Sequence, residues 1–189
     1  MKKQEVLNKI QEFSKDIQSS CNEEFIDCFE DYQKNNNKHY LSTKGVYIIL
    51  LKKGKSLDCI KKQFSAEDKD NLEACKEYDR LFYIGKTCNS FYARVTGCNG
   101  HMQGGRTSFS GKLFHYITGK KRTECNYEGK SEDRRKLTDF FKDNFEVKFL
   151  PIKIEDNNEL TNFAITIIEE MLISKFKPPF NTKLNKNKN

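Results

Sequence analysis

Five side chains, spread over most of the chain, could together break a phosphodiester bond. They are two phenols, a guanidinium, a carboxylate and an amide, carried by Tyr47, Tyr83, Arg94, Glu169 and Asn181. Hydrolysis of a phosphodiester requires an in-line water, a group that takes its proton, and stabilisation of charge on the phosphate oxygens. A divalent cation held by one carboxylate can polarise the phosphate, and Mg²⁺ often takes only one or two protein carboxylates. The set therefore indicates hydrolysis of a phosphodiester beside a metal ion.

Both tyrosines lie in short apolar runs that have the composition of buried strands. Gly45–Leu51 and Leu81–Gly85 are rich in β-branched and aromatic residues. A third strand is predicted at Phe145–Ile154, where the residues alternate and Pro151 marks an edge or a bend. The glutamate lies on a strong predicted helix, Asn158–Lys175, which ends sharply because two prolines follow closely.

The remaining segments predict further helices and one long loop. After the second strand, Asn89 is the expected cap of a helix that carries Arg94. The glycine-rich stretch Gly97–Ser110 is predicted to be a loop. Other helices are expected at 3–18, 23–32, 56–64, 112–118 and 132–141.

Charge is distributed unevenly along a chain whose formal net charge is +7. No aspartate or glutamate occurs from Arg80 to Thr123, although many lysines and arginines do. Such a segment suits a polyanion, because each cation placed near a phosphate releases counterions. Ordinary clustering of charge on a solvated face is the alternative. The glycine-rich loop and the basic helices after it are a candidate groove-contacting element. The residues expected to bind nucleic acid are Arg106, Lys112, Lys120, Lys121 and Arg122.

The cysteines and the N-terminus indicate a reducing compartment. Seven cysteines form no C-x-x-C pair, and an odd number cannot all pair with one another. The first residues are amphipathic and charged throughout, unlike a signal peptide, and no apolar run approaches the length of a membrane span. We therefore expect a cytoplasmic protein.

Several of these fragments resemble the GIY-YIG nuclease superfamily. GVY at 45–47 and YIGK at 83–86 are similar to the two motifs that name the family, and Arg94 follows them. Glu169 stands twelve positions before Asn181, a spacing that the family's catalytic carboxylate often has. The match covers most of the chain and leaves about the first forty residues unexplained.

The resemblance implies a role for each matching side chain. Glu169 would be the ligand of Mg²⁺ or Mn²⁺, one of the two tyrosines would orient or deprotonate the water, and Arg94 would bind the scissile phosphate. Lys86 could contact the phosphate or tune a tyrosine. Asn181 could anchor the end of the helix or hydrogen-bond near the phosphate. The alternatives are a surface glutamate, tyrosines that only pack in the core, a surface arginine and a plain turn residue.

The resemblance also implies a catalytic histidine, but this sequence does not have one at the position that the family uses. Many relatives carry a histidine or tyrosine one helical turn after the arginine, and Cys98 occupies that position here. A short insertion could bring His101 to the same place, where it would be a general base or proton relay. His115 is a candidate substitute. A zinc site built on Cys98 and His101 would lack the second pair of ligands at finger spacing.

Together, the resemblance and the predicted elements indicate an α+β fold, a small three-stranded antiparallel sheet flanked by helices. We expect an N-terminal helical extension over residues 1–40 and a nuclease domain over 41–183, with a helical insertion at about 52–80. A basic disordered tail is expected over 184–189.

The long interval between the two tyrosines favours a restriction-type enzyme, since relatives of that kind carry insertions there and tend to act as dimers. We therefore expect a homodimer that cuts both strands of duplex DNA. A structure- or damage-specific repair nuclease is the second candidate. A catalytically silent nucleic-acid-binding module and a structural protein are the others. Each enzyme hypothesis requires Glu169 to meet both tyrosines and Arg94 around one hollow, and a position across the sheet from them would contradict it.

Overall fold

A computed structural model describes the sheet, the helices around it and a few isolated stretches. The described residues are 43–55, 80–96, 100–103, 109–111, 113–114, 132–154, 157–181 and, near the N-terminus, 4–5, 7–9, 11–12 and 15. The N-terminal pieces are helical, as predicted for 3–18. The helices predicted at 23–32 and 56–64 and the basic tail lie outside the described residues. Within that part of the chain, no helix combines the length and apolarity needed to cross a membrane.

Three antiparallel strands form one sheet in the order β2-β1-β3. The strands are β1 (Gly45–Leu51), β2 (Leu81–Thr87) and β3 (Phe145–Pro151). The predicted α+β fold with a three-stranded antiparallel sheet is confirmed. The prediction of a third strand that continues to Ile154 is wrong, because β3 ends at Pro151. Proline has no N–H for the ladder, and β3 is an edge strand.

The sheet separates two layers of core. Successive side chains of a strand point to opposite faces, so odd-numbered residues of β1 pack in one layer and even-numbered residues in the other. We call the first the tyrosine face, because it carries Tyr47. The second is the α3 face, because helix α3 (Asn158–Phe176) covers it. The tyrosine face packs against aromatic side chains from several elements: Phe82, Phe91, Phe109, Phe141, Phe145 and Phe180.

A short helix and a turn of 3-10 helix contribute to the layer on the tyrosine face. Helix α1 (Phe91–Val95) begins at Ser90, whose Oγ accepts a hydrogen bond from the Ala93 N–H at 3.2 Å. The prediction of Asn89 as the cap is therefore wrong by one residue. The 3-10 turn (His101–Gln103) follows after a short interval.

The predicted glycine-rich loop is partly helical. The structure has the 3-10 turn and helical backbone at 109–111, so the prediction of a loop over Gly97–Ser110 is wrong at these described positions. The reason is apolar burial, since Phe109 is fully buried on the tyrosine face. Helix α2 (Glu132–Asn144) holds the 3-10 turn, because Thr138 donates a hydrogen bond to a carbonyl of the turn at 2.9 Å.

Helix α3 is capped at both ends. The Asn157 side chain accepts a hydrogen bond from the Leu160 N–H at 2.9 Å. At the other end Lys177 adopts a left-handed backbone with φ 46° and donates its N–H to the Ile173 carbonyl at 2.8 Å. The buried residues of α3 recur at three- and four-residue spacing, so one side of the helix covers the sheet and Glu169 lies beside that side.

The free edge of β2 is covered by the segment after α3. The Asn181 amide pairs with the backbone of Ile84, accepting its N–H at 2.9 Å and donating to its carbonyl at 2.7 Å. The Phe180 N–H donates to the Phe82 carbonyl at 3.1 Å. Unpaired strand edges invite pairing with other chains, and here the amide takes the place of a neighbouring strand. The C-terminal end of α3 is thereby fixed to the strand that carries Tyr83.

A buried ion pair joins all three strands at the end of β1 and the start of β2, the two ends of the predicted insertion. The Arg80 Nε donates to the Leu51 carbonyl at 2.7 Å, and the guanidinium also pairs with Glu146 on β3. The end of β1 and the start of β2 are therefore held together, which preserves the pairing on which the two tyrosines depend.

Candidate active site

The Tyr47 side chain passes over Gly85 of the neighbouring strand. The two residues are directly paired in the ladder between β1 and β2. A Cβ atom added at Gly85 would approach Tyr47 Cζ to 2.5 Å and Tyr83 Cε1 to 2.6 Å, which is closer than such atoms can pack. Only glycine at position 85 therefore leaves room for the Tyr47 ring over β2. The Tyr83 ring lies beside the Tyr47 ring, with the ring centroids 6.2 Å apart.

Arg94 approaches the two phenols from α1. Its Nε donates a hydrogen bond to the Tyr47 hydroxyl at 3.2 Å. Burial raises the pKa of Tyr47 well above its usual value, and the guanidinium acts in the opposite direction. Burial likewise raises the pKa of Tyr83, and Arg94 again offsets part of the increase. Both phenols are therefore protonated at neutral pH beside a cation that favours phenolate.

His101 contacts the same hydroxyl with its imidazole. Its Nε2 lies 2.5 Å from the Tyr47 oxygen, and its Nδ1 lies 3.2 Å from the Ser110 Oγ. The buried ring also packs against Phe109, with centroids 5.4 Å apart. Burial lowers the pKa of His101 to about 3, and the charge of Arg94 acts in the same direction. The imidazole is therefore neutral at physiological pH, with one nitrogen available as an acceptor.

The predicted metal ligand pairs with a lysine of the edge strand. Glu169 Oε2 lies 3.0 Å from Lys86 Nζ, and this ammonium also donates to Thr166 Oγ1 at 3.1 Å. Burial raises the pKa of the Glu169 carboxyl, and the hydrogen bond and charge of Lys86 offset part of that increase. The neighbouring Glu170 is exposed, so the structure distinguishes the two adjacent carboxylates.

Glu169 acts electrostatically on the tyrosines although its helix covers the opposite face of the sheet. Helix α3 lies on the face opposite Tyr47, so the carboxylate does not approach over the same face. Gly85 and Lys86 are consecutive residues of β2, however, and the phenol lies over the first while the carboxylate pairs with the second. The charge of Glu169 accordingly raises the pKa of both phenols, and Arg94 lowers that of Glu169. The charges of these side chains therefore act on one another near Gly85 and Lys86, and the single hollow expected around them stays a prediction.

Of the remaining predicted site residues, Asn181 lies in the described part of the chain. Asn181 bonds to the backbone of the edge strand, a geometry that favours the anchoring role over contact with a phosphate. The other predicted residues lie outside the described part of the chain, and their contacts with nucleic acid or metal stay predictions: Cys98, Arg106, Lys112, His115, Lys120, Lys121 and Arg122.

Comparison with known protein families identifies the family of the chain. A family model described as the GIY-YIG catalytic domain matches residues 45–189, most of the chain. The chain belongs to the GIY-YIG nuclease superfamily. At a significant level, no curated protein and no solved structure matches it. The resemblance carried by the two tyrosine motifs is thereby confirmed, and membership of the superfamily supports an endonuclease activity.

GIY-YIG nucleases are generally dependent on a divalent metal, and the residues of this chain fit a site with one carboxylate. In the described part of the chain no group of three or more His, Cys, Asp or Glu side chains could hold a metal ion. An ion at Glu169 would therefore take one protein carboxylate and complete its shell with water and substrate oxygens, which Mg²⁺ accepts. The Glu169 side chain is mostly buried, but 14 % of it is exposed, so part of it contacts solvent.

Two polar residues of the candidate site were not predicted from the sequence. Ser110 lies in a stretch that reads as loop, and no spacing rule connects it with His101. Thr166, which binds Lys86, stands three residues before Glu169 on the same helix. Residues three apart share a side of a helix, so this spacing could have identified Thr166 as a neighbour of the carboxylate.

Gly85→Ala is expected to disable cleavage more than it disturbs the fold. The added methyl group must displace the Tyr47 hydroxyl, and a displacement of about 1 Å at a reacting group costs roughly 100-fold in rate. Single-turnover cleavage of plasmid DNA, together with thermal denaturation, measures both effects. Gly54→Ala is the control for cleavage: its Cβ would meet nothing within 4 Å, so it should keep the wild-type rate, although its φ of 80° is expected to lower thermal stability. Cleavage by Gly85→Ala at the wild-type rate would contradict the packing described here.

His101 is expected to make the folded state less stable as the pH falls. The unfolded histidine titrates near 6.5 and the folded one at about 3, so between these values the unfolded state binds more protons. Stability from this residue is complete above pH 6.5 and is lost on acidification, by about 2 kcal/mol between pH 7 and pH 5. Urea denaturation of the wild type and of His101→Gln at both pH values measures the difference. An equal pH dependence in the two proteins would show that His101 is not held neutral.

Proposed function

We propose that the chain is a divalent-metal-dependent DNA endonuclease of the restriction type, which cuts both strands of duplex DNA as a homodimer. One observation carries the proposal. The Tyr47 hydroxyl contacts both the Arg94 guanidinium and the His101 imidazole, within the field of the Glu169 carboxylate. A phenol that only packs in a core needs one hydrogen-bond partner, and it has no need of a cation and a neutral base together.

Tyr47 is placed to move the proton of the attacking water. As the water oxygen bonds to phosphorus and the bond to the leaving oxygen breaks, the water proton passes to the Tyr47 oxygen. The proton of the phenol passes to His101 Nε2, which lies 2.5 Å away. Arg94 stabilises negative charge on the phenol oxygen during the transfer. The neutral imidazole of His101 has a lone pair for this proton, but burial lowers its pKa to about 3 and so makes it a weak base in the free protein.

Arg94 has enough donors to bind the scissile phosphate as well. A guanidinium presents five N–H donors in a planar fork, and contacts with two phenols use only part of that set. The remaining donors suit charge-assisted hydrogen bonds to phosphate oxygens. Burial is the larger cause of the lowered pKa of His101, and a phosphate bound there offsets the second cause, the positive charge of Arg94. Substrate binding therefore makes the imidazole a stronger base.

Glu169 would hold the divalent ion, which when bound polarises the phosphate and stabilises the leaving oxygen. The chain prepares this carboxylate in two ways. Lys86 favours its ionised form, because the hydrogen bond and charge of the ammonium lower the carboxyl pKa. Lys86 is itself oriented by Thr166 on the same helix, so the carboxylate and its partner are fixed relative to α3.

The sequence supports a DNA substrate and a homodimeric assembly. The segment from Arg80 to Thr123 contains no carboxylate, which suits the phosphates of DNA. The long interval between the two tyrosine motifs supports a restriction-type enzyme and hence a homodimer. The extension over 1–40, the insertion at about 52–80, the tail over 184–189 and a cytoplasmic location belong to the same proposal.

Glu169→Gln is expected to abolish metal-dependent cleavage, because an amide does not replace a carboxylate as a ligand for Mg²⁺ or Mn²⁺. Purified enzyme is incubated with supercoiled, linear and branched DNA in the presence of each ion. Glu170→Gln is the matched control, since Glu170 is the exposed neighbour on the same helix and its loss should leave cleavage unchanged.

The products decide between the candidate functions. Discrete fragments from duplex DNA support restriction, whereas nicks confined to branched DNA would replace it with a repair-type activity. Random fragmentation, or full activity of a monomer, would contradict the dimeric restriction enzyme. Cleavage by Glu169→Gln at the wild-type rate would refute the metal assignment.

A further inference from the structure

Ser110 is a fully buried polar residue to which the proposed mechanism gives no role. Its Oγ lies 3.2 Å from His101 Nδ1, the ring nitrogen that does not face Tyr47. We propose that Ser110 is a positioning residue that holds His101 in the tautomer with its proton on Nδ1, so that Nε2 offers its lone pair to the Tyr47 hydroxyl. The catalytic consequence of this contact rests on the proposed function, whereas the tautomer itself does not.

The donors around Tyr47 decide where its proton goes. A neutral imidazole has one N–H and one acceptor nitrogen. The Arg94 Nε can only donate, so it occupies a lone pair of the Tyr47 oxygen. If His101 Nε2 also carried a proton, two donors would meet that oxygen, and the phenol would give its proton to its other partner, the Tyr83 hydroxyl, and not to the histidine. With the ring proton on Nδ1, Nε2 accepts from Tyr47 and the Ser110 oxygen accepts from Nδ1.

Neighbouring side chains hold the His101 ring in one orientation. The tautomer is therefore selected by the hydrogen bonds of its two nitrogens with Tyr47 and Ser110. The Phe109 ring meets the imidazole edge-on, with centroids 5.4 Å apart and planes at 88°. The Tyr83 ring packs against it at 5.2 Å. Its own 3-10 turn is tied to α2 through the hydrogen bond from Thr138. Since the ring is buried and packed by aromatic neighbours, exchange of its two nitrogens by rotation is disfavoured.

Nitrogen-15 NMR of the full-length protein labelled at histidine tests the proposal directly. The chain has three histidines, and the spectrum of His101→Gln identifies the signals of His101. At pH 7 the wild type is expected to show a protonated Nδ1 and an unprotonated Nε2. Ser110→Ala is expected to shift His101 towards the other tautomer or a mixture, and Ser110→Thr, which keeps the hydroxyl, is expected to retain the wild-type form.

The proposal is overturned if the wild type carries its proton on Nε2, or if Ser110→Ala leaves the tautomer unchanged. Should Ser110→Ala fail to fold, the wild-type and Ser110→Thr spectra still decide. None of these spectra requires DNA cleavage, so the result is independent of the nuclease assignment.

Single-turnover cleavage measures the catalytic consequence of the contact. Loss of a hydrogen-bond partner of a metal-ligating histidine costs roughly 10–100-fold, and Ser110→Ala is expected to lose about as much in the maximal single-turnover rate. The protein concentration that gives half of this rate is expected to stay unchanged, and Ser110→Thr is expected to restore the rate. Full activity of Ser110→Ala would overturn the positioning role. A wild type that cuts no DNA would instead refute the proposed function and leave the tautomer assignment standing.

Discussion

One buried hydroxyl, that of Tyr47, connects the elements of this fold into a site. It belongs to β1, the central strand, whose backbone is paired on both sides and is therefore the least free to move. Its ring crosses the edge strand at Gly85, where the only side chain is a hydrogen atom. Arg94 from α1 and His101 from the 3-10 turn meet the oxygen there. Three separate segments thus converge because one residue of the edge strand is small enough to let the phenol through.

The pKa shifts of the site residues arise because their polar atoms are buried among largely apolar side chains. Desolvation disfavours the charged forms of tyrosine, histidine and glutamate alike, which is why burial is the first cause of the pKa shifts of Tyr47, His101 and Glu169. Hydrogen bonding among the members offsets part of that cost, and in a low dielectric such bonds are stronger than in water. Among these side chains, only Arg94, Lys86 and Glu169 are charged. A bound phosphate would therefore meet the positive charge of Arg94, and a bound cation would meet the carboxylate of Glu169.

The sequence predicts the scaffold of this site better than its details. β1 and β2 were predictable because glycine and dense apolar runs mark buried strands, and α3 because prolines end it. The packing of α3 on the face opposite Tyr47 was not predictable, because the side of a sheet on which a helix packs depends on long-range topology. The contact between His101 and Ser110 depends on how an irregular segment folds against buried aromatic rings, and no local pattern encodes that.

The central claim is that the Tyr47 oxygen takes part in the reaction and does not merely pack. Tyr47→Phe tests it most directly, since phenylalanine keeps the ring over Gly85 and removes only the oxygen that contacts Arg94 and His101. Single-turnover cleavage of duplex DNA is compared with DNA affinity and thermal stability. The account predicts a loss of about 100-fold or more in the rate of cleavage, with DNA affinity largely kept. Cleavage by Tyr47→Phe at the wild-type rate would contradict it.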